Sequence, residues 1–385
     1  MDATNIRRGG GVTHLAELLS AADPARHNIA RVVVWGGKAT LARLPRRPWL
    51  ELVSPPDLDR GLFRRIWWQR TKLSQSARAA GCAVLFVPGG SFAGNFHPVV
   101  AMSQNLLPFE ARELRRYGVS LATLKFLLLR QVQKRTFRAA DAVVFLTRYA
   151  EQAVTKVTGT LRGRTATIAH GIGQRFRFPA RPQEPIGAYS VQHPFRLLYV
   201  SIIDLYKHQD KVAEAVASLR ALGYPLHLDL VGPSYAPALR ALDTVLDKVD
   251  PDRSWARYLG AIDHDVLGAT YREANLGIFA STCENLPIIL LEAMAAGLPI
   301  ACSASGPMPE VLGTAGTYFD PENPASIADA IRALIDSAEL RQASASASVE
   351  RASTYSWEKC ADETFAFLAS VARQRAARGQ VGDQS

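Results

Sequence analysis

Short apolar runs alternate with helical segments along the whole chain, in two successive series. This alternation restricts the chain to α/β folds built on parallel strands with crossover helices. The first series has strand-like runs at 31–35 (RVVVW), 49–53, 82–87 (CAVLFV), 99–102, 142–146 and 165–169, with helical patterns at 12–20, 60–80, 107–139 and 147–157. The second has runs at 195–200 (FRLLYV), 226–231 (LHLDLV), 276–280, 298–302 and 315–319. Its helical patterns fall at 208–222, 236–249, 264–273, 288–297, 324–337 and 339–352. Either series is large enough to bury a substantial core.

The stretch 173–195 separates them; it carries prolines at 179, 182, 185 and 194 and little periodicity. The expected organisation is an N-terminal Rossmann-like domain over 1–180, a linker at 181–194, a second domain over 195–355, a C-terminal helix at 356–375 and a flexible tail at 376–385. A doubly wound domain begins with a buried strand and a Gly-rich turn. Here the turn, GGG at 9–11, follows only MDATNIRR, a poor strand. The first strand is therefore short and atypical, or missing, and a missing strand is the expectation.

Charge divides along the same line. Residues 1–190 carry 29 Lys and Arg against 11 Asp and Glu, whereas residues 191–385 carry 16 against 24. A basic half joined to an acidic half implies two domains with different partners. A positive surface attracts nucleic acid, anionic lipid or an anionic substrate, and no zinc-finger or aromatic RNA-binding motif supports the first. No apolar run reaches the roughly 18 residues of a spanning helix, and no secretory signal is expected from the polar, basic start. Cys82, Cys283, Cys302 and Cys360 form no C-x-x-C pair and have no histidine at zinc spacing. They read as buried thiols of a reduced, cytoplasmic protein, with no metal ion and no cofactor expected.

The strongest local signal is STCENLPIILLEAMAAGLP at 281–299. A strand ends near Ala280, a short loop follows, and a helix with Pro287 in its first turn leads to Gly297. Carboxyl ends of parallel strands face the ligand crevice of an open α/β sheet, and a helix N-terminus offers unpaired N–H groups to an anion. Glu284 lies in the loop, suited to sugar hydroxyls, and Glu292 about two turns further on is within reach of a ribose. Taken alone, two glutamates are more often solvated. The small-residue stretch AMAAGLP, which permits close helix–sheet approach, changes that weighting.

The run CENLPIILLEAMAAGLPIACSASGPMPEVLG resembles the E-x7-E region of retaining GT-B glycosyltransferases of family four, and the similarity covers most of 195–370. It implies two Rossmann-like, doubly wound parallel-sheet domains facing across a cleft. It also implies that Glu284 contacts the transferred sugar, that Glu292 holds the nucleotide ribose, and that Asn285 and Leu286 bind diphosphate or sugar through their backbone. LYVSIIDLYKH at 198–208 is similar to the family's G-R-L-x-x-x-K-G. Lys207 is kept to offset charge on the leaving diphosphate, and Ile202 replaces the usual Arg. The glycine turn resembles the family's N-terminal loop, with Gly10 and Gly11 against the diphosphate. His14 on the following helix could face the cleft or lie on the surface. Gln104 falls where many relatives have a sugar-contacting His, and His97, in a loop before Pro98, is a weaker candidate for acceptor or sugar contact.

The basic, amphipathic stretch 112–138 fits either an anionic membrane surface or a core helix with a solvated basic face. The resemblance implies a metal-independent hexosyltransferase that moves a sugar from a nucleotide sugar to a saccharide or lipid-linked acceptor, in polysaccharide or lipopolysaccharide assembly. It would be peripheral on the inner membrane face. Two rivals stand beside it: a non-catalytic binding protein of the same fold, favoured by Ile202 and Gln104, and a sugar-nucleotide epimerase or phosphorylase. A phosphorylase needs a site for free phosphate or pyridoxal phosphate, and no such signature stands out.

Overall fold

The computed structural model describes residues 1–7 and 9–382; for His264, Asp265 and residues 378–382 it describes the backbone alone. In chain order the first half contains β1 (Asp2–Ala3), α1 (Gly10–Ala21), β2 (Val32–Gly36), α2 (Lys38–Leu41), β3 (Leu50–Val53), α3 (Leu62–Trp68), α4 (Ser74–Ala79), β4 (Leu85–Val87), β5 (Val99–Met102), α5 (Ala111–Arg115), α6 (Leu121–Ala139), β6 (Ala142–Phe145), α7 (Arg148–Thr158) and β7 (Arg164–Thr167). The second half contains β8 (Phe195–Val200), α8 (Gln209–Ala221), β9 (Leu226–Val231), α9 (Ala236–Val249), β10 (Ala256–Tyr258), α10 (His264–Glu273), β11 (Leu276–Phe279) and α11 (Ile288–Ala295). It continues with β12 (Ile300–Ser303), α12 (Met308–Leu312), β13 (Gly316–Phe319), α13 (Pro324–Asp336), α14 (Ala338–Ser353) and α15 (Trp357–Gly382).

These elements form two Rossmann-like units. One comprises Met1–Ala111, Val119–Gly171 and Ser356–Ser385; the other comprises Arg112–Gly118 and Ile172–Tyr355. The C-terminal helix thus returns to the first unit, and a seven-residue piece of the basic stretch belongs to the second.

In the first unit the strands run β3-β2-β1 and β4-β5-β6-β7, all pairs parallel. The first strand is present in its short form: Asp2 and Ala3 pair with Trp35 and Gly36 of β2. β1 touches β4 but shares no ladder with it. Val33, Val87, Val99, Val143 and Phe145 line the core, and α1 buries Val12, Leu15, Leu18 and Leu19. Burying each such side chain contributes roughly 1.5–3 kcal/mol. Asp2 is buried as well, accepting from Thr4 N and Gln69 Nε2. Gln69 opens one turn of π-helix, Gln69–Leu73, between α3 and α4.

The second unit holds one six-stranded parallel sheet in the order β10-β9-β8-β11-β12-β13. Its strands are almost wholly buried: Leu197, Leu228, Leu276, Ile300 and Cys302 have no exposed surface. The order reverses between β8 and β11, and in such sheets the ligand crevice lies outside the carboxyl ends at that point.

The structure changes two sequence expectations. The stretch 107–139 is not one helix. Gly118, at φ +56°, turns the chain after α5, and the Ser120 hydroxyl caps α6 by accepting from Thr123 N at 3.2 Å. The C-terminal helix runs on to Gly382, through a segment rich in the helix formers Ala, Arg and Gln. The last residues of the expected tail, 383–385, lie outside the described residues.

Candidate active site at the reversal of the second sheet

The loop after β8 carries Lys207 to the loop after β11, where its Nζ pairs with a Glu284 carboxylate oxygen. The lysine side chain is 5% exposed and that of the glutamate 16%. The ammonium also lies 5.2 Å from the ring centroids of both Tyr206 and Phe279, within cation–π range. Burial beside Glu284 pushes the Tyr199 and Tyr206 phenols well above their ordinary pKa, which keeps them protonated. The Tyr199 hydroxyl then donates to Lys207 O at 2.8 Å, fixing the lysine backbone.

The two loops are tied together. Thr282 N donates to Tyr206 O at 2.9 Å, and His208 Nε2 lies 3.3 Å from Thr282 Oγ1. His208 takes a left-handed backbone, φ +51°, immediately before α8, and Gln209 Nε2 donates to Ile202 O at 2.9 Å. Asn285 and Leu286 are buried in the second loop, and α11 begins at Ile288, one residue after the proline expected in its first turn. Glu292 lies inside α11, 6% exposed, accepting from the Tyr271 hydroxyl at 3.3 Å. Burial and that carboxylate hold the Tyr271 phenol well above its ordinary pKa.

The piece Arg112–Gly118 packs against these loops. Glu113, 3% exposed, accepts from Thr282 Oγ1 at 2.6 Å and pairs with Arg116 at 2.6 Å. Arg116 also pairs with Glu322, and Tyr117 donates to Asp204 Oδ1 at 2.9 Å. Against the effect of burial, the guanidinium holds Glu322 below the ordinary carboxylate range, and the two carboxylates raise Arg116. Burial, followed by the Arg116 charge, lowers His208, which favours its neutral form. A cavity of about 230 Å³ opens here, lined by Arg116, Asp204, His208, Lys211 and Glu322 among others. Ile202 leaves the β8 loop without the second cation, and its neighbours Arg116 and Lys211 are each engaged by two carboxylates.

Sequence reasoning missed Glu113, Thr282 and Tyr271. Glu113 had a signal: it is the only acid between residues 111 and 140, in a stretch with eight Lys and Arg.

The candidates in the first unit stand by themselves. Gly9 precedes α1 with φ +68°, and nothing lies within 4 Å of a Cβ built on Gly10. A Cβ on Gly11 would meet Gln104 Oε1 at 3.2 Å, so the glycine turn and the end of β5 adjoin. His14 is neither open nor on the surface: it is 1% exposed and stacked on His170 at 4.4 Å. Gln104 Nε2 donates to its Nδ1 at 2.9 Å. The correction has a simple cause, since position 14 shares the inward face of α1 with Leu15 and Leu18. Burial holds His14 down to about pKa 3 and His170 well below the ordinary value. His97 stands at the amino end of β5, paired with Asp141 at 2.7 Å. Gln104 follows the carboxyl end, the side on which ligands bind.

D-x-D strings occur at Asp57–Asp59, Asp250–Asp252 and Asp263–Asp265. Asp59 accepts from Lys38 N, and Asp250 accepts from the backbone of residues 254–256. Among the described residues no three His, Cys, Asp or Glu are grouped to hold a metal ion.

A sheet of order 3-2-1-4-5-6 is that of a Rossmann unit, and the pair of such units is the GT-B architecture. Residues 190–351 match the family described as Glycosyl transferases group 1. Over 110 residues it is 32% identical to the O-antigen chain mannosyltransferase B of Escherichia coli, covering 29% of each chain. Sucrose-phosphate synthase of Thermosynechococcus elongatus superposes with a TM-score of 0.69 at 19% identity, covering 93% of this chain and 92% of that one. Anabaena HepE in complex with UDP superposes with a TM-score of 0.67 at 16% identity, covering 94% and 96%. The matches span 29–64% of the length of the first three curated relatives.

Proposed function

We propose that this chain is a retaining, metal-independent glycosyltransferase of the hexosyltransferase class. It moves a sugar from a nucleotide-diphosphate sugar to a saccharide or lipid-linked acceptor, in cell-surface polysaccharide or lipopolysaccharide assembly at the cytoplasmic face of a membrane. The observation that carries the proposal is the buried Lys207–Glu284 pair at the reversal of the second sheet. An arriving diphosphate competes with Glu284 for the Lys207 ammonium. Once released, Glu284 is available to the hydroxyls of the sugar, while the backbone at Asn285 and Leu286 and the start of α11 offer donors to anionic oxygens. Glu292, oriented by Tyr271, takes the ribose hydroxyls. In the first unit the assignments are Gly10 and Gly11 to diphosphate oxygens and Gln104 to a sugar hydroxyl.

No enzyme nucleophile is assigned. The acceptor oxygen bonds to the anomeric carbon on the face from which the diphosphate departs, and the departing phosphate oxygen takes the acceptor proton. Lys207 steadies the charge that develops on it. The O-antigen relative supports the polysaccharide setting, and the UDP complex of HepE supports a nucleotide-linked donor.

Calorimetric titration with UDP, GDP and ADP, without added metal, tests the reading. Selective micromolar binding of one nucleotide that is lost in Lys207→Ala is the expected result. A folded protein that binds none of the three, with Ile202 in place of arginine, would instead favour a non-catalytic binding protein.

A further inference from the structure

The first unit carries an apolar and basic face that the proposed transfer site does not use. Among the described residues, ten of the fifteen exposed large hydrophobic residues lie in 62–67 and 119–132. On α3, Phe63 is 88% exposed and Trp67 49%, with Leu62 and Ile66 beside them. At the start of α6, Leu121 is 86% exposed, Leu124 54% and Leu128 60%, with Leu127 and Val132 on the same segment. No residue of 121–132 is buried, although this is the most apolar part of the helix. An ordinary surface helix turns such a stripe inward.

Within the two segments the charges have one sign. Residues 62–79 hold five Arg and Lys, residues 121–139 hold five more, and neither segment holds an acid. The two segments meet at one loop. Gln69 Nε2, just after α3, donates to Ser91 O at 2.9 Å, and Phe92 N donates to Thr136 Oγ1 of α6 at 3.0 Å. The carboxyl-terminal parts of the two segments are thus held to the same loop, residues 91–92 of the first unit.

We infer that α3 and the first three turns of α6 form a docking face for an anionic lipid bilayer. Phe63, Trp67, Leu121, Leu124 and Leu128 would enter the interfacial region while Arg64, Lys125, Arg130 and their neighbours meet lipid phosphates. Apolar side chains alone would suit a second copy of the chain equally well. Arg64, Arg65, Lys125 and Arg130, with no acid on α3 or in the first three turns of α6, would repel an identical face and attract an anionic bilayer. The inference deepens the reading of a lipid-linked acceptor and rests on it for its place in the reaction; its physics is independent of the nucleotide site.

The test is co-sedimentation of the full chain with vesicles of phosphatidylethanolamine and phosphatidylglycerol, and with phosphatidylcholine alone. Binding should need phosphatidylglycerol. It should fall at least about tenfold in Phe63→Ser/Trp67→Ser and in Leu124→Ser/Leu128→Ser, and also in Arg64→Glu/Lys125→Glu. These variants alter exposed groups, and unchanged melting and unchanged nucleotide titration would show that fold and donor site are intact. The inference is overturned if the chain binds neither vesicle, or binds both alike. It is also overturned if lipid-free sedimentation velocity finds a dimer that Leu124→Ser/Leu128→Ser dissociates. A chain that binds vesicles but no nucleotide would sink the transferase reading and leave the docking face standing.

Discussion

Glu113 and Thr282 are 169 residues apart in sequence and 2.6 Å apart in space, the threonine hydroxyl donating to the buried carboxylate. Thr282 is two residues before Glu284 and donates its own N–H to the Lys207 loop at Tyr206 O. The contact therefore fixes the loop from which Glu284 extends. Glu113→Ala would remove the short hydrogen bond from the Thr282 hydroxyl and one of the two carboxylates on Arg116, costing about 1–3 kcal/mol. Urea unfolding should register that loss, and turnover should fall with little change in nucleotide affinity. Glu113→Gln, which still accepts from Thr282, should recover most of the turnover. An alanine variant with normal turnover would show that the loop holds its position without this contact.

The Lys207–Glu284 pair separates donor binding from transfer. Glu284→Gln keeps the size of the side chain and removes its charge, so Lys207 no longer has a competing anion. Nucleotide diphosphate should bind as tightly or more tightly by calorimetry, while sugar transfer falls about a hundredfold or more, as for loss of a charged transition-state contact. Equal losses of binding and transfer would place Glu284 on the nucleotide rather than on the sugar.

The stacked histidines set a pH dependence of stability. Burial lowers His14 to about 3 and His170 well below its ordinary value of about 6.5. Between these limits the unfolded chain binds protons that the folded chain refuses, so stability rises with pH. The contribution is complete above about 6.5 and is lost as pH falls toward 3. Each histidine adds a slope approaching 1.4 kcal/mol per pH unit well below its unfolded pKa. Denaturant unfolding between pH 6.5 and 5 should show this slope. His170→Phe, which can keep the stacking on Trp357, should roughly halve the part due to the pair. An unchanged slope in that variant would assign the dependence to other groups.

Gly232 joins the ends of β8 and β9. Its φ is +144°, and a Cβ there would lie 2.1 Å from Ser201 O, a backbone atom. Gly232→Ala therefore meets both a strained conformation and a contact that cannot be relieved by rotating a side chain. A cost of about 3 kcal/mol corresponds to a fall in melting temperature of roughly 6–12 °C. Calorimetry should also find weaker nucleotide binding, because Ser201 begins the loop that carries Lys207. A variant that melts like the parent would mean that the β8 end shifts freely.

Residue pattern alone was sufficient for five of the six strands of the second sheet. FRLLYV and LHLDLV form β8 and β9 over the expected residues, because a parallel strand covered on both faces is largely apolar, interrupted here only by Arg196, His227 and Asp229. E-x7-E and the retained lysine marked Glu284, Glu292 and Lys207 because loop–helix chemistry is local and keeps its spacing. Other features had no local signature. Asp2–Ala3 is too short for any periodicity, and β10 is three residues long. The break at Gly118 divides a stretch that reads as one amphipathic helix, and only packing sends Glu113 to Thr282 while leaving Leu121 and Leu128 exposed. His14 illustrates the same limit. Its neighbours on α1 indicate an inward face, but the stack on His170, supplied from 156 residues away, makes the core around it. Sequence by itself determined what depends on backbone periodicity and short-range spacing. Tertiary structure decided which polar groups are buried and which apolar ones are left outside, since desolvation depends on neighbours that the chain brings together only when it folds.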